Sequence, residues 1–258
     1  MSLTACAEMV EKGDPDRFAA TMAAPPEARP RLWPLYAANL EIARAPWASS
    51  EPMVAEMRLQ WWIDTLGELA EGRQRSGHAV TEALAPILAA DPDLARLLQS
   101  LAEARRWDCW REPFEDRAAF DAYLDATAGN LMWAAARALG APASAEPATR
   151  DLAWSAGLAH WLRAAPELEA RGRFPFVDGR PESLGLLAAE GRARIARARA
   201  NAGSIPRKAR PALWTAPEAD AILRQAAADP ARIAAGTLGT SPFRKSAALA
   251  WNAFSGRF

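Results

Sequence analysis

Three apolar stretches of this sequence carry polar side chains of kinds that do chemistry. Asn39, Glu41 and Arg44 follow Tyr36 on the first, Glu56, Arg58, Gln60 and Asp64 lie on the second, and His160 and Arg163 on the third. Ionised groups persist in a protein interior only when paired. Glu41 or Glu56 therefore either pairs with an arginine across two packed helices or faces a ligand cavity, and both readings stay open. If Arg44, Arg58 and Arg163 are core-facing, they should converge near Glu41 and near Glu56 or Asp64. His160, between Ala159 and Trp161, reads as a hydrogen-bonded core histidine rather than a catalyst. Gly129 and Asn130 sit inside a long helical stretch. A mid-helix glycine costs about 1 kcal/mol relative to alanine, which points to close helix packing or to a ligand nearby.

No motif announces an activity by itself: the chain has no Gly-rich phosphate loop, HExxH, GxSxG or CxxC pair. Cys6 and Cys109 are far apart, and neither His78 nor His160 has a ligand-spaced neighbour. That argues against a disulfide framework, a structural zinc site and a Cys-His nucleophile. With 31 basic and 31 acidic residues the formal net charge is zero, so a nucleic-acid partner is not expected. Residues 1–18 have neither a basic n-region nor an apolar core of signal-peptide length, and a cytoplasmic protein is expected. Apolar runs such as 131–136 end well short of the ~20 residues that span a bilayer. Eleven tryptophans leave peripheral contact with the inner face of a membrane open, although most are expected as core or interface anchors.

The elements that must position these groups are helices. Ala, Leu, Arg and Glu dominate nearly every segment, and no period-two alternation is sustained, so the expected fold class is all-α. Asp14-Pro15 supplies an N-cap and an N1 proline. A second helix runs from about residue 27 or 30 to 45, and a third opens near Ser49 or Ser50 and ends near Gly72. Shorter helices are expected over 81–90 and 93–107, then one long helix over 115–139, another over 149–165, and further ones over 181–202, 216–228 and 241–254. Residues 171–181, RGRFPFVDGRP, read as a loop whose three arginines either bind an anion or are solvated.

Three of these stretches together resemble the squalene/phytoene synthase family of head-to-head prenyl transferases. RFAATMAAPPEARPRLWPLYAANLEIARA, residues 17–45, resembles its opening helices. YLDATAGNLMWAAARALG, residues 123–140, resembles the helix with a tyrosine and a central glycine. GLAHWLRAAPELEARGRFP, residues 157–175, resembles GxAxQLxNILRDxxxDxxRGRxYLP. The resemblance covers nearly the whole chain. It implies a single domain over 1–258, an isoprenoid-synthase-type bundle of about ten helices around a central cavity, with Trp61, Trp62, Leu66, Tyr123 and Trp133 buried about it.

In that family two facing DxxxD motifs hold magnesium against an allylic diphosphate. Placed by the resemblance, the first pair falls here near Ala43, Arg44 and Trp47, and the second at Ala164 and Leu168, with Glu167 beside them and Pro166 disturbing the helical face. The expected protein is therefore a non-catalytic isoprenoid- or lipid-binding scaffold without a cofactor. It also resembles the family's mitochondrial complex I assembly factor around LYAANLEIARA and MRLQWWIDTL, which leaves a protein partner open. The alternative is an active prenyl transferase, using magnesium, whose diphosphate is gripped by Arg44, Arg58, Arg163 and Arg171. A third reading is a helical interaction module with a closed core. Candidate cavity or anion contacts are Tyr36, Asn39, Glu41 and Arg44, then Arg58 and Gln60, Tyr123, Gly129 and Asn130, and finally Arg163 and Arg171.

Overall fold

The computed structural model of the chain describes residues 2–73 and 77–258, and among them it contains thirteen α-helices and no strand. The first two, α1 (Ser2–Gly13) and α2 (Pro15–Ala23), meet at Asp14. Its carboxylate accepts from the Arg17 amide at 3.0 Å, and Pro15 occupies a first-turn position that needs no N–H. Helix α1 was not among the expected elements. It is held by Cys6 and Val10, both fully buried, where it packs on α3 (Arg29–Arg44).

Next come α4 (Pro52–Ala70), α5 (Ala79–Ala90) and α6 (Pro92–Ala104), the last capped by Asp91 as its Asp-Pro start predicts. The stretch expected as one helix over 115–139 is observed as α7 (Arg117–Leu124) and α8 (Asn130–Ala138) joined by a π-helical turn at Asp125–Gly129. Such wide turns interrupt the α-ladder and frequently mark functional sites. Helix α9 (Glu146–Ala170) runs the length of the bundle with Trp154 fully buried.

Residues 149–165 underestimate α9, because Pro166 removes one backbone donor without ending the helix. The last turn is closed instead by Gly172 at φ +74° and by the Arg173 amide, which donates to the Leu168 carbonyl at 2.9 Å. Residues 171–180 are non-helical, as expected, before α10 (Pro181–Ala200). The chain closes with α11 (Pro217–Ala228), the short α12 (Ala231–Ala234) and α13 (Pro242–Ser255).

Helix α9 packs against α8, α10, α11 and the π turn, so it forms one wall of whatever the bundle encloses. Trp62, Leu66, Tyr123 and Trp133 are buried and Trp61 is partly so, in line with the pattern read from sequence. Among the described residues, no helix is long and apolar enough to cross a membrane.

Candidate functional site

A cavity of about 620 Å³ lies between α9, the π turn and the start of α2. Its apolar wall comes from Leu124, Leu131, Met132, Ala156, Trp161 and Leu168. Gly157 brings α9 close to the π turn, since a Cβ there would stand 2.7 Å from the Ala128 Cβ. The opposite side is polar and is built from two ion-paired units.

The first unit is buried below the cavity. The Tyr123 hydroxyl donates to the Asp108 carboxylate at 2.9 Å, and Arg105 reaches both Asp108, at 2.9 Å, and the Tyr123 oxygen, at 2.8 Å. Burial pushes the Tyr123 phenol well above its ordinary value, so it stays a donor at neutral pH. Stacked Trp107 and Phe114, 4.0 Å apart, and Trp161, 5.3 Å from the Tyr123 ring, exclude water from this unit. Arg173 also donates to the Asp108 carbonyl oxygen.

The second unit is the start of α2. Arg17 is ion-paired with Asp14 and lies 5.6 Å over the Tyr36 ring. Burial raises the Asp14 carboxyl, but the Arg17 charge and its hydrogen bonds outweigh burial and hold it below the usual range. Burial pushes the Tyr36 phenol up to about 12. Opposite them, His160 and Arg163 project from α9, with Arg163 3.7 Å from Glu218 on α11. His160 is exposed where it lines the cavity, and desolvation by the surrounding protein, then the Arg17 charge, lowers its imidazole below 6.5.

Three acids line the cavity, and each is held by a cation: Asp14 by Arg17, Asp108 by Arg105, and Asp16 by Lys245 at 3.0 Å. Among the described residues, no three His, Cys, Asp or Glu side chains are grouped as a metal site would need. Trp47, Ala164 and Leu168 also line the cavity. Trp47 stands at its edge, 40% exposed, with the Arg171 and Arg173 guanidiniums 5.0 and 5.2 Å from its ring.

Of the eleven candidate contacts, the cavity brings together Asn39, Tyr123 and Arg163. Glu41, Arg44 and Arg58 line a separate groove of about 350 Å³ with Trp61 and Trp62, where Glu41 meets the His78 Nε2 at 3.2 Å. Burial raises the Glu41 carboxyl despite His78 and Arg44. The expected convergence therefore holds for Arg44 and Arg58, which share one groove with Glu41, and is corrected for Arg163, which lines the larger cavity and meets Glu218. Glu56 accepts from the Trp110 indole at 2.9 Å and Asp64 from Gln60 at 2.7 Å, so neither serves those arginines.

Gln60 is exposed and also accepts from Arg106. Tyr36 is core behind Arg17 and does not line the cavity. Gly129 is a packing glycine, because a Cβ would meet Asp125 Oδ1 at 2.6 Å and Arg150 Nη1 at 3.2 Å. Asn130 accepts from Arg150 and donates to the Leu97 carbonyl, both at 3.2 Å. Arg171 pairs with Glu167 at 2.5 Å on the outside.

Sequence reasoning missed Arg17, Arg105 and Asp108 as cavity residues and read His160 as a hydrogen-bonded core histidine, whereas its side chain is exposed, faces the cavity and makes no hydrogen bond among the described residues. The Asp14-Pro15 cap was the one signal that places Arg17. Nothing local marks Asp108, whose partner Tyr123 lies 15 residues on.

A crystal structure of a dehydrosqualene synthase in complex with ligand matches this fold with a TM-score of 0.81 at 16% identity, covering 98% of this chain and 95% of that one. None of the curated proteins matches the sequence. The sequence pattern of the squalene/phytoene synthase family matches residues 10–176, from the end of α1 through the loop after α9, and so takes in most of the cavity wall. By that match over most of its length, the chain belongs to the squalene/phytoene synthase family.

Proposed function

We propose that the central cavity binds an isoprenoid or a similarly long apolar lipid without magnesium-dependent prenyl transfer, and that the protein acts as a binding scaffold of the assembly-factor type. The observation that carries this is the identity of the side chains facing the cavity where the family resemblance would put carboxylates: Trp47, Ala164 and Leu168. Magnesium takes near-octahedral oxygen ligands and is usually held by one or two carboxylates plus substrate phosphates. Asp14, Asp16 and Asp108 are spoken for by Arg17, Lys245 and Arg105, so the acids present do not fit a magnesium cage. Without that charge, ionisation of a diphosphate loses the electrostatic stabilisation it depends on.

The arginine-clamped transferase is less well supported. Arg44 and Arg58 line the neighbouring groove, Arg171 is paired outside with Glu167, and only Arg163 of the four faces the cavity. A volume of about 620 Å³ with one apolar side suits one lipid chain.

The test is incubation of the purified protein with farnesyl and geranylgeranyl diphosphates and Mg²⁺, reading released pyrophosphate. No release is expected, and organic extraction of the purified protein should yield a co-purifying isoprenoid or lipid. Turnover that is abolished by Glu41→Ala or Glu167→Ala would overturn the reading and make those glutamates replacement metal ligands.

A further inference from the structure

The charges around the cavity cancel. Three acids and three arginines line it, and every one has an opposite charge in contact: Asp14 with Arg17, Asp108 with Arg105, Asp16 with Lys245, and Arg163 with Glu218. A diphosphate entering this space would bring two or three negative charges to a lining whose own arginines are each paired with a carboxylate. It would have to strip a guanidinium from its own carboxylate, leaving that carboxylate buried and unpaired, which is costly.

Two neutral polar side chains have the opposite status. Asn39, 8% exposed on α3, and His160, exposed on α9, both line the cavity, and neither side chain makes a hydrogen bond to any described residue. Their polar atoms open on the cavity, so a ligand or an ordered water there can supply the partner that the protein does not. His160 is held neutral by burial and by the Arg17 charge. A neutral imidazole offers one donor and one acceptor, and the Asn39 amide offers both as well. A hydroxyl or carbonyl oxygen complements such a pair without adding charge.

We infer that the cavity selects an isoprenoid whose head group is neutral and hydrogen-bonding, an alcohol or a carbonyl, with Asn39 and His160 as its polar contacts, and that it discriminates against the diphosphate. The apolar wall from Leu131, Met132, Ala156 and Leu168 takes the chain, and the paired arginines stay with their own acids. The inference rests on the cavity-binding reading above and adds the head group to it.

The experiment is titration of the full chain, followed by the fluorescence of Trp161 and its neighbours or by calorimetry, with farnesol, farnesal, the hydrocarbon farnesene and farnesyl diphosphate, the last with and without Mg²⁺. Farnesol or farnesal should bind at least about tenfold more tightly than farnesyl diphosphate. His160→Phe and Asn39→Leu, made separately so that one folding failure does not decide the matter, should each weaken the preferred probe by about tenfold while leaving farnesene unchanged.

Binding of farnesyl diphosphate as tight as that of farnesol, without pyrophosphate release, overturns this inference and leaves the scaffold reading standing. Equal affinity for farnesene and farnesol also overturns it. Pyrophosphate release overturns the scaffold reading itself, and failure of every probe to bind removes both.

Discussion

The Tyr123 hydroxyl sits 2.9 Å from the Asp108 carboxylate in a pocket closed by Trp107, Phe114 and Trp161. This pair holds the 3₁₀ turn Arg105–Cys109, which carries Arg105 and Asp108, against α7, and so fixes one side of the cavity. Tyr123→Phe removes a donor to Asp108 and an acceptor for Arg105 without changing the ring. It is expected to destabilise the fold by about 1–3 kcal/mol, the cost of leaving a buried polar partner unsatisfied. Asp108→Ala strands Arg105 and should cost more, about 3 kcal/mol or above. Urea unfolding of both variants checks the order; equal or smaller losses for Asp108→Ala would show that Arg105 finds another partner.

The helices were legible in the sequence where their start signals are local. Asp14-Pro15 and Asp91-Pro92 cap α2 and α6 as read. The cavity was less legible, for geometric reasons. Asn39 and Glu41 are two residues apart on α3, hence about 200° apart around its axis, and the structure sends one to the cavity and the other to the neighbouring groove. Arg44, three residues after Glu41, shares its face. Arg163 takes Glu218, and Asp16 takes Lys245, 229 positions away. Partners this distant leave no periodic trace, and the composition of Asp125–Gly129 does not distinguish a π turn from an α-helix.

The His160 imidazole should tie stability to pH. Burial first, then the Arg17 and Arg163 charges, lowers its value in the folded protein, while the Asp14 and Glu218 carboxylates oppose that. In the unfolded chain it titrates near 6.5. As pH falls through that value, the unfolded state takes up a proton that the folded state declines. The unfolded state then binds more protons, and stability falls with the pH by at most about 1.4 kcal/mol per unit from this residue. Unfolding free energies measured between pH 7.5 and 5 should slope downward with acid, and His160→Gln should flatten the slope. His78 is present in both proteins, so the difference isolates His160. An unchanged slope in the variant would mean that His160 takes its proton as readily folded as unfolded.

Gly157→Ala tests the contact between α9 and the π turn. The new methyl would stand 2.7 Å from the Ala128 Cβ, a contact with a short, rigid side chain that cannot swing away. Alanine gains about 1 kcal/mol of helix propensity over glycine. Overpacking typically costs about 1–3 kcal/mol, so the net effect should be destabilising. It should also narrow the cavity that Gly157 lines. Thermal unfolding and a lipid-binding titration measure the two effects. A variant more stable than the native chain would mean that the helices separate without cost.

Restoring carboxylates should create a cation site where the native chain has none. Ala164 and Leu168 lie four residues apart on α9, one turn from each other on the same face, and both line the cavity. Ala164→Asp with Leu168→Asp would place two carboxylates side by side with no cation assigned to them, unlike Asp14, Asp16 and Asp108. Their mutual repulsion destabilises the apo protein, and a divalent or lanthanide ion relieves it by supplying the missing positive charge. Terbium luminescence sensitised through Trp161, in the turn before Ala164, should therefore appear in the double variant and be absent from the native protein. The variant's melting temperature should rise with added Mn²⁺, because binding to the folded state alone stabilises it by mass action. Luminescence of equal strength in the native protein would show that the existing acids release their cations to a metal, and the scaffold reading would lose its main support.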